Sequence, residues 1–172
     1  MGQQAILLGD SVEIFATPNA NTPLHALCVQ GRNTDLPDGV FGESNSKYEY
    51  YCEAEIERIR NGRVLVSISA IGTAPDDIDI AKCWVRLDNL GIILMEDKSI
   101  TTSRPSFYVR FYDSPDKKAS YRDLQPSAYV ATITGMHNSW FQVVCIIKNE
   151  YVQGWIPQEE QCTNAFSLCM GN

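Results

Sequence analysis

Several things are scarce in these 172 residues, and each absence closes a class of function. No apolar run approaches the roughly 20 residues that a membrane-spanning helix needs. Adjacent basic residues are few. The longest such pair, Lys117-Lys118, sits beside Asp113 and Asp116, and the formal net charge is −7. Nothing along the chain supplies the basic stripe that a nucleic acid demands, so nucleic acid is not an expected partner. Histidine occurs only as His25 and His137, and no two cysteines stand as a CxxC pair, which argues against a zinc site. The acidic group Asp76, Asp77 and Asp79 lacks the glycine and terminal glutamate of a calcium loop. No metal and no cofactor is expected.

The N-terminus lacks the basic region and apolar stretch of a signal peptide. Its Met1-Gly2 start is not a myristoylation site, because Ile6 stands where Ser or Thr is required. Catalysis also finds little footing. A cysteine nucleophile needs a base within reach, and the three-residue step from His25 to Cys28 does not bring the two together on a strand or loop. His137 falls at a hairpin tip. No catalytic residue is assigned.

What is present is a soluble-protein composition, 44% hydrophobic and 20% charged, with six cysteines. An even count permits disulfides. Cys162 and Cys169 are near enough in sequence to close a small loop, and Cys28 and Cys52 flank a polar stretch whose base they could staple. The alternative is that several are small buried apolar side chains.

An internal repeat is the strongest signal. Residues 54–66 and 131–143 align without a gap. They share Ala54/Ala131, Ile56/Ile133, Asn61/Asn138 and Val66/Val143, and are apolar at Ile59/Met136 and Val64/Phe141. Upstream, Val12 to Pro18 aligns with Val109 to Pro115. Downstream, Cys83-Trp84-Val85 aligns with Gly154-Trp155-Ile156. Three blocks recur in one order, which indicates duplication. Pro18 precedes Ala54 by 36 positions and Pro115 precedes Ala131 by 16, so copy one holds an insertion of about 20 residues within Gly31 to Tyr51.

The elements read as strands. Asn61-Gly62 favours a tight hairpin because both residues accept positive φ, and Asn138-Ser139 occupies the same place. Beyond the turns, Val64, Val66, Ile68 and Ala70 share one face, as do Phe141, Val143, Cys145 and Ile147. Residues 55–60 give no clean alternation. Lys148-Asn149-Glu150 reads as a turn, Pro157 as a strand end, and Pro18 and Pro115 as turns. No stretch shows helical periodicity over ten residues, although Asp76 to Lys82 has room for a single helical turn.

Copy two, about Phe107 to Cys162, resembles the bacterial Src-homology-3-like (SH3b) domain family. The resemblance rests on Val109–Pro115, on Asn138-Ser139-Trp140-Phe141 and on Gly154-Trp155-Ile156. Copy one, about Asp10 to Leu94, matches more weakly, with Arg63 in place of Trp140 and Cys83 where the family prefers Gly. The resemblance implies an all-β fold of two tandem small SH3-like barrels, spanning 1–97 with the inserted loop and 98–172 with a C-terminal extension. It further implies a location outside the cytoplasm, with any export signal absent from the sequence as it stands. The implied role is non-catalytic recognition of a peptide or a peptidoglycan fragment. Two alternatives are an assembly protein whose barrels dock a protein partner, and the targeting part of a cell-wall hydrolase.

Flat aromatic rings suit such recognition because they bury area at small entropic cost. The candidates are Tyr112, Tyr129, Trp140, Tyr151 and Trp155, with Trp84 as the copy-one equivalent of Trp155. Trp140 alternates against Phe141 and Val143 and is expected to point away from the core. Trp155 and Trp84 are expected in the core or between barrels. Tyr48, Tyr50 and Tyr51 either form a recognition loop or pin the insertion to its barrel.

Overall fold

A computed structural model describes residues 3–29, 49–73, 78–94, 109–125 and 130–162. Those residues are all-β, and no α-helix occurs among them. The strands are β1 (Gln3–Leu7), β2 (Ser11–Ile14), β3 (His25–Cys28), β4 (Glu49–Arg60), β5 (Arg63–Thr73), β6 (Ile80–Arg86), β7 (Leu90–Leu94), β8 (Val109–Tyr112), β9 (Tyr121–Leu124), β10 (Val130–His137), β11 (Trp140–Ile147), β12 (Glu150–Pro157) and β13 (Gln161–Cys162). Two compact units result, dividing at Gly91/Ile92, where the sequence reading placed the boundary at 97/98.

In unit 1, β6, β5, β4 and β1 pair antiparallel in that order, and β1 also pairs with Leu90 and Gly91. The β2–β3 hairpin joins through Phe15, whose N–H and C=O bond reciprocally to Trp84 at 2.8 and 2.9 Å. In unit 2, β10, β11, β12, β8 and β9 pair antiparallel, and β13 pairs with Ile93 and Leu94. A single 3-10 turn follows β6 at Leu87–Asn89 and β12 at Gln158–Glu160. The two copies therefore run through the same elements in the same order. Ile80 to Lys82 is extended in β6, so that part of the expected helical turn is strand. Ile80 pairs with Ile68 of β5, and the Ser67 hydroxyl donates to the Ala81 carbonyl beside a register irregularity.

The turns follow from residue chemistry. Asn61 and Gly62 take φ of 53° and 72°, the left-handed pair of a tight hairpin, and Lys148 and Asn149 do likewise at 51° and 66°. The broken alternation of residues 55–60 has a structural cause. Ile56 pairs with Val66, but the next pair is Arg58 with Leu65, so Glu57 is an extra, bulged residue. Thr134 is bulged at the equivalent position between Ile133 and Gly135. Beyond the bulge Ile59 pairs with Val64 close to the hairpin end, where it is 38% exposed. On β5 and β11 the expected inward positions face the core, with Ala70 half-buried. Val64, Val66, Phe141 and Val143 are fully buried, and Ile68, Cys145 and Ile147 nearly so.

Tyr50 and Tyr51 are buried in β4, where they anchor the chain leaving the insertion. Tyr50 Oη also donates to the Cys28 carbonyl at 3.3 Å. Tyr48 and the rest of the insertion lie outside the described residues.

The core of unit 2 depends on a close approach. A Cβ placed on Gly154 would lie 2.7 Å from Phe111 Cβ and 2.8 Å from its Cδ1, and Phe111 is fully buried. Burying such a ring contributes about 1.5–3 kcal/mol. Copy one has Ile14 and Cys83 at the corresponding positions, a smaller side chain matched to a larger one. Gly154→Ala is expected to destabilise by about 1–3 kcal/mol through overpacking. Urea unfolding followed by tryptophan fluorescence checks this, and Gly154→Cys should cost less when combined with Phe111→Ile than alone.

Candidate functional site

Cross-strand partners share a face of a sheet. The register of unit 2 therefore sets Gln142, Trp155, Tyr112 and Tyr121 in one row across β11, β12, β8 and β9, on the side away from Phe111 and Phe141. Trp140, paired with Pro157, lies one step along the same side. The rings interlock. Trp140 meets Tyr112 edge to face at 5.1 Å and 88°, and Tyr112 tilts against Tyr121 at 5.8 Å and 58°. Pairs of this kind stabilise by about 0.5–1.5 kcal/mol beyond their buried area.

Four of the aromatic candidates thus fall on this face, but with unequal access. Trp140 is turned away from the Phe141 core as expected, yet it is not solvent-facing. Tyr112 covers it and leaves 8% exposed. Tyr112 is itself buried, Trp155 is half-buried, and Tyr151, paired with Ile146 at the other end of β12, is 80% exposed. The core position expected for Trp155 is taken by its neighbours Gly154 and Ile156, both buried. Tyr129 lies outside the described residues. In unit 1, Trp84 is buried with Phe15 and Leu65, with Ala20 packed against the cluster.

Sequence reasoning missed Tyr121 and Arg110. Tyr121 is half exposed, and the Arg110 guanidinium lies 4.1 Å from its ring centroid. Arg110 also grips Asp123 with two parallel bonds, Nε–Oδ1 at 2.8 Å and Nη2–Oδ2 at 3.0 Å. The sequence signal for them is faint. Tyr-Arg-Asp-Leu over 121–124 does not alternate, and it is the pairing of β9 with β8 that puts Tyr121 opposite Tyr112. Around the rings stand amides. Gln153 Nε2 donates to Thr134 Oγ1 at 3.2 Å, and Gln161 Nε2 donates to the Ile156 and Ser139 carbonyls at 2.9 and 3.3 Å. The arrangement offers ring surface edged by amide groups, suited to stacking and hydrogen bonding.

Elsewhere in unit 2, a hollow of about 420 Å³ is lined by Arg122, Asp123, Leu124, Gln125, Ile147, Lys148, Glu150 and Val152. It has charges of both signs and no aromatic wall, so the rings sit on an open face rather than in this hollow.

The thiols are poorly placed for nucleophilic work. Burial pushes Cys52 up to about 12, with Cys28 and Asp79 adding to the shift, and burial pushes Cys83 and Cys145 up to about 11. A thiol must ionise to attack. Cys28 is exposed at the end of β3, three residues from His25 and so on the opposite face of that strand. Cys52, Cys83 and Cys145 form no disulfide, and Cys169 and the side chain of Cys162 lie outside the described residues. Among the described residues no three His, Cys, Asp or Glu side chains gather to hold a metal, and no helix is long and apolar enough to cross a membrane. Asp76 and Asp77 lie outside those residues.

No protein-family profile, curated protein or solved structure matches the chain.

The raised thiols carry a pH signature. Their folded values lie above the ordinary 9.0, so the stability they confer is complete below pH 9 and is lost as pH rises through about 11. The urea midpoint should fall over that interval, and the fall should be smaller in Cys145→Ala.

Proposed function

We propose that the chain is a non-catalytic binding module of two tandem Src-homology-3-like barrels, working outside the cytoplasm. Its aromatic face in unit 2 recognises a peptide or a peptidoglycan fragment. The observation that carries this reading is the row Tyr121–Tyr112–Trp155 with Trp140 packed beside it, a ring surface edged by Gln142, Gln153 and Gln161. Pre-packed rings lose little entropy on meeting a sugar, a proline or a peptide plane. The barrel reading is supported by the repeated element order, with tight turns at equivalent places in the two copies, of the kind the family resemblance implies.

One feature favours docking of a protein partner instead. Ile146 and Tyr151 are cross-strand partners, 41% and 80% exposed, and form an apolar pair at the far end of β11 and β12. Such exposed apolar pairs suit a flatter protein contact.

Co-sedimentation with lipid-free peptidoglycan sacculi separates the two readings. Wild type should pellet, and Tyr121→Ala should bind about threefold to tenfold more weakly while remaining folded, because its ring is half exposed. If wild type stays in the supernatant at low salt, the cell-wall reading fails and protein docking replaces it.

A further inference from the structure

Unit 1 carries a counterpart of the aromatic face, and its chemistry has changed. The row Leu65–Trp84–Phe15 matches Gln142–Trp155–Tyr112, through the same register. Around it, Arg58, Arg60, Arg63 and Arg86 stand where unit 2 has Gly135, His137, Trp140 and Pro157. Arg60 pairs with Arg63, Arg63 with Arg86, and Arg58 with Leu65, so all four share one side of the sheet. They are half of the chain's eight arginines. Scattered over residues 58–86, they are brought together only by the register.

The guanidinium groups are held by the rings beneath. The Arg63 Cζ lies 3.3 Å from the Phe15 ring centroid, and the Arg58 Cζ lies 5.5 Å from that of Trp84. A stacked guanidinium keeps its planar N–H fork in one orientation, which suits bidentate capture of an oxyanion. Arg86 is held by Asp88 at 2.8 and 3.0 Å, with Glu13 the other nearby carboxylate acting on it. Arg58, Arg60 and Arg63 form no ion pair among the described residues. Arg63 Nη1 is buried without a hydrogen-bond acceptor, a donor that folding leaves open.

We infer that this arginine face is a second binding site, and that its occupant is a carboxylate-rich peptide segment of a partner protein, gripped by Arg58, Arg60 and Arg63. A net charge of −7 favours a short acidic segment over a long polyanion. A long phosphate polymer extends beyond the four arginines into the repulsive field of the remainder, whereas a short acidic segment is held locally.

The test is fluorescence polarisation of a fluorescein-labelled hexaglutamate peptide with the full chain at low ionic strength. Wild type should bind, and Arg60→Gln, at the exposed hairpin tip, should weaken binding about tenfold. Arg63→Lys should also weaken it, since charge without the fork is insufficient, while Lys118→Gln should change it less than twofold. Circular dichroism establishes that each variant is folded. Absence of binding by wild type, equal loss with Lys118→Gln, or unchanged binding by the Arg58→Gln/Arg60→Gln pair overturns the inference. Linear polyphosphate competing more strongly than unlabelled hexaglutamate at equal charge also overturns it, in favour of a phosphate polymer.

Discussion

The register of the long hairpin in each unit is set by a two-residue turn, and the division of side chains between core and surface depends on it. Asn61 and Gly62 take left-handed backbone at little cost, which fixes Arg60 opposite Arg63. From that pairing, Val64 and Val66 must face the core, and Arg63 and Leu65 the other side. A slip of one residue would bury an arginine and expose two valines, a penalty of several kcal/mol. Asn138 plays the same part in unit 2, where Phe141 and Val143 go inward and Trp140 and Gln142 outward. The bulge at Glu57 and at Thr134 then lets the strand twist without disturbing the inward set that precedes it.

Within that shared frame the copies have diverged by compensation. Phe111 fills space that Gly154 vacates, while the other copy has Ile14 and Cys83, so total volume in the core is roughly conserved. The outer side has changed more in chemistry, although its rings are packed and several are buried. The position of Trp140 holds Arg63, yet both lie over an aromatic ring one strand removed, Tyr112 across β12 in one case and Phe15 across β6 in the other. A ring face accepts either an aromatic edge or a guanidinium plane. The scaffold therefore keeps its packing while the surface changes from aromatic to cationic.

The strands and turns were legible wherever one residue type forces the geometry. Asn61-Gly62, Lys148-Asn149 and the buried set Val64, Val66, Phe141 and Val143 needed no tertiary knowledge. The duplication was legible because pairing positions recur at fixed offsets. Less was legible on the outer face. Alternation correctly turned Trp140 away from Phe141, but burial on that side depends on Tyr112, which is distant in sequence and reaches Trp140 only across β12. The arginines 58, 60, 63 and 86 formed no run, because cross-strand adjacency has no linear signature. The bulges, too, read merely as failed alternation, since an extra residue in one strand is defined by its partner.

Burial on the aromatic face bears directly on how it can work. Tyr112 and Trp140 are 6% and 8% exposed, so truncating either removes packing before it removes any contact. Their role is to hold the neighbouring rings in place. Tyr121 is different. It is half exposed, backed by Tyr112 on one side and by the Arg110 guanidinium, which Asp123 fixes in turn. A ring supported in this way has already lost most of its rotamer freedom, and that loss need not be repeated on binding. Tyr151, at 80% exposure, makes no comparable ring or guanidinium contact among the described residues and would be ordered only on contact. In the proposed binding role, Tyr121 is therefore the exposed ring on this side whose area should convert most fully into affinity, although its sequence context, a short polar strand, is the least conspicuous of all.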